Sequence, residues 1–327
     1  MIPVKLEPNN NLRVVSPSRS LSIISEEVID IATTHLSNIG LSVDFGKNAR
    51  EMDQDGSSTI KSRVDDLHAA FTDKDCKAIL TTIGGFNANE LLPHLDFDLI
   101  RQNPKIICGY SDVTVLLNAI FTECGLVTYY GPHFSTFGVK HGNEYTHKHF
   151  QSCLFSSKEL KIKPSNNWSD DEWYINQEKR EFYQNEGYQV INHGTAEGIL
   201  IGGNLDTFNL LQGTRYLPKE KRVILFIEED DLSGGQMFNE FRRNIVSLLQ
   251  AFSGRIEGLV IGRFQKNEKI NLDRLKYIIS TNSIYFGSDT PIIYGLDFGH
   301  TLPMITIPIG GEARISTDPV EIVLTNH

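Results

Sequence analysis

Two stretches of this chain share one pattern, and it narrows the choice of fold more than anything else in the sequence. KAILTTIGGFN (77–87) is an apolar run closing on Gly84-Gly85, and NPKIICGYSD (103–112) is an apolar run closing on Gly109-Tyr110-Ser111. The second passes directly into VTVLLNAIFTECG (113–125), an apolar helical stretch stopped by Gly125. LRVVS (12–16) reads as an earlier strand. Ser25-Glu26-Glu27 opens a helix with Val28, Ile31, Ala32, Leu36 and Ile39 at helical spacing and Gly40 as its stop. LSVDF is a second short strand, and Val64–Phe71 a helix with Asp65 and Asp66 near its positive end. Strands alternating with helices of this length argue for parallel βαβ units. Ligands of such sheets gather beyond the carboxyl ends of the strands, where Gly84-Gly85 and Ser111 fall.

The rhythm breaks between Lys163 and Gly187, a polar, acidic and aromatic stretch without a clean period. A segment of that length and character inside a compact protein is usually a functional lid or a linker. It divides the 327 residues into an N-terminal domain (1–160), a linker or active-site loop (161–190) and a C-terminal domain (191–327). The second half restarts the α/β alternation. AEGILIGGNLDTFNLL (196–211) reads as strand, turn and helix, and KRVILFIEEDD (221–231) as a buried strand with an acidic end. An amphipathic helix spans Phe238–Phe252, RIEGLVIGRF is a strand, and a helix lies around Leu272–Ser280. TPIIYGLDFGHT is a further strand, and the tail reads as antiparallel strands with a Gly-Gly turn.

A net charge of −10 without a basic run makes nucleic acid an unexpected partner. No stretch approaches the roughly 18 apolar residues of a membrane span. The segment MIPVKLEPNNNLRVVSP lacks a signal-peptide core. Four cysteines without metal-ligand or paired spacing fit a reducing compartment, so a cytoplasmic protein without structural disulfides or zinc is expected.

Three residues could carry chemistry together. Ser111 stands between a strand and a helix, as in a nucleophile elbow, although G-x-S-x-G is absent. A plain helix cap would use the same residue. Glu228 and Glu229 end a buried strand, where a carboxylate can fix a histidine tautomer or simply face solvent. His300 follows Gly299 at another strand end. A serine hydroxyl needs a base and the base needs an orienting partner, and one residue of each type lies where that chemistry requires it. The Gly84-Gly85 turn could add a backbone N–H to an oxyanion site. Asn204 is a candidate polar contact to substrate or a cap for the helix that follows.

The chain resembles the LD-carboxypeptidase family of serine peptidases, in its microcin C resistance branch. The resemblance rests on TTIGGFNANELLPHLDFDLIRQNPKIICGYSDVTVLLNAI (81–120), GLVTYYGPHFSTFG (125–138), SDDEWY (169–174), GILIGGNLDTFNLLQGT (198–214), LFIEED (225–230) and GLDFGH (295–300). It implies an N-terminal flavodoxin-like domain, a C-terminal α/β domain of the LD-carboxypeptidase type, and a site between them. By resemblance Ser111 is the nucleophile, His300 the base and Glu228 its partner, with Glu229 a rival. The backbone N–H groups of Gly85 and Asp112 form the oxyanion hole. No metal or cofactor is implied, and a homodimer is expected. The aromatic insertion points to a peptidyl- or aminoacyl-nucleotide substrate with a tryptophan, Trp173 ahead of Trp168, stacked on the base. Packing of both tryptophans onto the body is the plainer alternative. A murein tetrapeptide is the other substrate that the family implies.

Overall fold

The computed structural model describes residues 1–230, 236–266 and 270–327. The first part runs β1 (Asn11–Val15), α1 (Glu26–Asn38), β2 (Ser42–Phe45), α2 (Ile60–Thr72), β3 (Cys76–Thr81), α3 (Phe97–Gln102), β4 (Ile106–Gly109), α4 (Thr114–Cys124), β5 (Thr128–Tyr130) and α5 (Glu144–Leu154). Next come β6 (Leu160–Ile162), β7 (Asn167–Trp168), β8 (Tyr183–Gln184), β9 (Gln189–Asn192), β10 (Thr195–Asn204), α6 (Leu205–Asn209) and β11 (Val223–Glu228). The chain closes with α7 (Met237–Ala251), β12 (Ile256–Gly262), α8 (Leu272–Thr281), β13 (Ile292–Leu296), β14 (Ile307–Ile309), β15 (Glu312–Thr317) and β16 (Val320–Asn326).

Local chemistry sets the helix starts. The Ser25 hydroxyl accepts the Val28 N–H, and Glu26 and Glu27 complement the positive end of α1. In α2 the cap is Thr59, which accepts the Ser62 N–H, so the helix starts ahead of the stretch its apolar pattern marks. Asp66 therefore lies inside α2 rather than near its start, and turns inward to accept the Asn48 N–H.

The first sheet has the order β2-β1-β3-β4-β5, all parallel, with β14 added antiparallel outside β5. This 2-1-3-4-5 order is that of flavodoxin-like folds. The second sheet has the order β6-β16-β15-β10-β11-β12-β13-β9, with a parallel core from β10 to β13. The two sheets exchange strands. β6 precedes the polar segment yet joins the second sheet, and β14 comes from the C-terminal half yet joins the first. The Gly310-Gly311 turn accordingly passes the chain from one sheet to the other, and the tail hairpin, β15–β16, turns instead at Asp318-Pro319.

A buried asparagine on α4 ties the halves together. Asn118 Nδ2 donates to the Gly202 carbonyl at 2.8 Å, and its Oδ1 accepts the Gly202 N–H at 3.3 Å. The polar segment forms a short ribbon, β7 with β8, pinned at several points. Ser169 exchanges two backbone hydrogen bonds with Leu302, and Ser165 donates to Asp297. Arg180 pairs with Asp171 at 2.8 Å. Gln177 meets the Gly138 carbonyl on the N-terminal side. The segment runs across the two halves. The four cysteines are free and buried. No described helix is long and apolar enough to cross a membrane.

Candidate active site

A cleft of about 970 Å³ opens where the carboxyl ends of both parallel cores converge. Ser111 enters it two residues after β4, with φ of +61°, a left-handed backbone that costs a non-glycine residue on the order of 1 kcal/mol. Two hydrogen bonds hold that turn. Tyr130 Oη accepts the Ser111 N–H at 3.1 Å, and Thr114 Oγ1 donates to the Ser111 carbonyl at 2.6 Å. The serine hydroxyl is thereby turned toward the ring at 300. Ser111 Oγ lies 3.2 Å from His300 Nε2, and His300 Nδ1 lies 2.8 Å from Glu228 Oε2.

Each partner is held in turn. Glu228 is the last residue of β11 and is buried, and its second oxygen, Oε1, accepts from Tyr130 Oη at 2.6 Å. Tyr130 thus links the Ser111 backbone to the carboxylate. Strand alternation sends Glu229 the other way. Its oxygens accept from Asn204 Nδ2 at 3.0 Å and from the Asp206 N–H at 3.1 Å, and His300 is bonded to Glu228, not to Glu229. The loop that carries His300 is anchored by Asp297, fully buried and paired with Arg263 at 2.9 Å. Gly299 has φ of +104°, and a Cβ there would stand 2.5 Å from Glu228 Oε2, so only glycine lets the ring come this close.

The charges explain the ionisation of the site. Burial alone would push Glu228 up, but the neighbouring His300 charge and hydrogen bonds from His300 and Tyr130 outweigh it and hold its pKa low. Burial works against the charged form of His300, yet Glu228 and Asp230 together raise its pKa to about 9. Asp230 Oδ2 stands 3.5 Å from His300 Nε2, on the nitrogen that faces Ser111. Among the described residues no group of three or more His, Cys, Asp or Glu side chains is arranged to hold a metal ion. Asp231, the last of the acidic run, lies outside the described residues.

Models of the LD-carboxypeptidase N-terminal domain and C-terminal domain match residues 12–131 and 197–315. The chain belongs to the LD-carboxypeptidase family. It is a hydrolase of that type, with both family domains in one chain. YocD of Bacillus subtilis is 49% identical over 315 residues, 96% of each protein. The microcin C7 self-immunity protein MccF of Escherichia coli is 32% identical over 298 residues, covering 88% of this chain and 85% of that protein. Among solved structures, an MccF-like protein from Bacillus anthracis superposes with a TM-score of 0.97 at 49% identity over the full length of both chains. MccF in complex with aspartyl sulfamoyl adenosine gives 0.88 at 28% identity, covering 100% of this chain and 99% of that one.

The remaining residues that the family resemblance marks fall as follows. Asp112 opens the turn after Ser111, and its buried carboxylate accepts from Ser18 Oγ and from the Asn87 and Ala88 N–H groups. This pins the Gly84-Gly85 loop beside Ser111. Within that pair Gly84 is nearer, since a Cβ on it would lie 2.9 Å from Ser111 Oγ, whereas Gly85 packs on Ser18 and Arg19. Asn204 lines the cleft, and its hydrogen bonds are made within the protein. Its Oδ1 caps α6 by accepting the Thr207 N–H, and its Nδ2 reaches Glu229 and Asp230. Trp173 and Tyr174 line the cleft. Trp168 instead packs on Tyr183 and on the Arg263 guanidinium, 5.1 Å from its ring centroid. Sequence reasoning missed Tyr130 and Asp230 as partners of the site. Tyr130 ends a strand too short to show a pattern, and Asp230 is one of four consecutive acids without a spacing signal.

Proposed function

We propose that the protein is a serine peptidase or amidase that hydrolyses the amide-type bond of an aminoacyl- or peptidyl-nucleotide, as in detoxification of microcin C-like compounds. The continuous hydrogen-bonded path from Ser111 Oγ through His300 to Glu228, opening on a cleft walled by Trp173, carries this reading. His300 takes the Ser111 proton as Oγ attacks the carbonyl, and Glu228 holds the imidazole tautomer and balances the imidazolium. Backbone N–H groups of Asp112 and of the Gly84-Gly85 turn, in which Gly85 is the donor, receive the oxyanion. His300 then protonates the leaving nitrogen, and water hydrolyses the acyl-enzyme through the same base. No metal or cofactor takes part in this scheme.

Two things support the nucleotide. Trp173 offers an aromatic face in the cleft, and MccF has been solved with an aminoacyl sulfamoyl nucleoside. A base stacked on such a face gains roughly 1–3 kcal/mol. Murein tetrapeptide trimming is the rival, supported by a Bacillus subtilis relative named as a probable murein peptide carboxypeptidase. Incubation with an aminoacyl sulfamoyl adenosine and, separately, with a muropeptide tetrapeptide decides between them. Release of the amino acid from the first, lost in Ser111→Ala, is the expected result. Release of D-alanine from the second with the first untouched would transfer the assignment to murein. A cytoplasmic homodimer belongs to the same reading, and light scattering on the purified protein tests the dimer.

A further inference from the structure

One side chain at the cleft has a polar atom that the scheme above does not use. His133 follows β5 through Gly131-Pro132 and is buried. Its Nδ1 lies 2.7 Å from Thr81 Oγ1, and the Tyr110 ring packs on it with centroids 4.3 Å apart. Its Nε2 is buried and has no hydrogen-bond partner among the described residues, yet the residue lines the cleft. The atom is close to the reacting centre. From the point where a Cβ on Gly84 would stand, His133 Nε2 is 3.6 Å away and Ser111 Oγ is 2.9 Å away. A buried ring nitrogen left without a partner is unfavourable, and such groups are rare unless a ligand or water completes them.

We propose that His133 is a third oxyanion donor, its Nε2–H pointing at the substrate carbonyl oxygen that Ser111 attacks. This rests on the reading of Ser111 as nucleophile. In this arrangement the Thr81 hydroxyl is the donor to Nδ1, 2.7 Å away, and the ring's single proton sits on Nε2. Burial and the nearby His300 charge lower the His133 pKa to about 3, so the ring stays neutral at working pH. A neutral ring that already carries its proton on Nε2 cannot compete with His300 for the serine proton. Tyr110 stands between the two imidazoles, with its ring centroid 5.3 Å from that of His300, and keeps their roles apart. A fixed, uncharged N–H beside a glycine turn suits an oxygen that gains negative charge only during the reaction.

The rate at which a fluorophosphonate modifies Ser111 tests this, because its P–O oxygen occupies the position of the carbonyl oxygen. His133→Phe keeps an aromatic ring and removes the donor, and the rate should fall by roughly 100-fold or more, the scale of one lost oxyanion donor. His133→Gln places an amide N–H near the same point and should keep most of the rate. His133→Asn, which stops short, should behave like His133→Phe and replaces it if that variant does not fold. Thermal transitions like that of the parent identify folded variants. A wild-type rate in folded His133→Phe and His133→Asn, or an equal loss in His133→Gln, would leave His133 a packing residue. Failure of the unaltered protein to be modified at Ser111 would instead remove the nucleophile reading, and this inference with it.

Discussion

His300 sets the pH behaviour of the site because two carboxylates flank it. Its pKa of about 9 stands well above an ordinary histidine value near 6.5. General-base action needs the neutral ring, so kcat/KM should rise with pH along an acid limb displaced well above 6.5. Asp230→Asn removes one of the two raising charges and should move that limb to lower pH, which a pH series on both proteins would reveal. Stability runs the other way. The protonated ring stabilises the folded chain fully below pH 6.5, and that contribution is lost as pH passes through about 9. Tyr130 acts on both sides of the histidine, since its hydroxyl meets the Ser111 N–H and Glu228 Oε1. Tyr130→Phe deletes a hydrogen bond to a charged group, about 1.5–3 kcal/mol, so kcat should drop by roughly 10- to 100-fold with KM nearly unchanged. An unaltered kcat would make the tyrosine a packing residue only.

At the scale of elements, much of this architecture could be read in advance, for a physical reason. Buried parallel strands ending in glycine turns, as in β3 and β4, leave strong local signals, and the residues just past them are forced into one crevice. The meeting of Ser111, Glu228 and His300 follows from that rule. What sequence could not supply was contact between distant segments. Nothing in a three-residue strand announces that Tyr130 reaches Glu228, and a polar stretch without period did not announce the β7–β8 ribbon. The strand exchange of β6 and β14 is equally silent, because a strand does not encode which sheet accepts it. Three predictions belong here. Asn118→Ala leaves the Gly202 N–H and carbonyl buried without partners, each worth about 1–3 kcal/mol, and should lower the urea midpoint sharply. Trp173→Ala should weaken binding of an aminoacyl sulfamoyl adenosine by roughly 1–3 kcal/mol. Trp168→Ala should chiefly reduce thermal stability, because that ring covers the Arg263–Asp297 pair. Calorimetry on both variants separates these effects, and the reverse assignment would place Trp168 at the ligand.

The whole molecule is two parallel cores whose carboxyl ends face one cleft, and Ser111 and the His300–Glu228 pair proposed to activate it come from opposite sides. Ser111 follows a strand of the first sheet, while Glu228 ends one strand of the second and His300 follows another. Reactivity therefore depends on the two sheets keeping their relation, which α4, the strap of residues 163–187 and the exchanged strands all maintain. Peptide mapping after fluorophosphonate treatment tests this most directly, with His300→Ala run beside the unaltered chain. A single adduct on Ser111 that disappears in His300→Ala is the predicted outcome. Modification at another residue, or equal modification of Ser111 without the imidazole, would contradict an imidazole-activated serine as the basis of the chemistry.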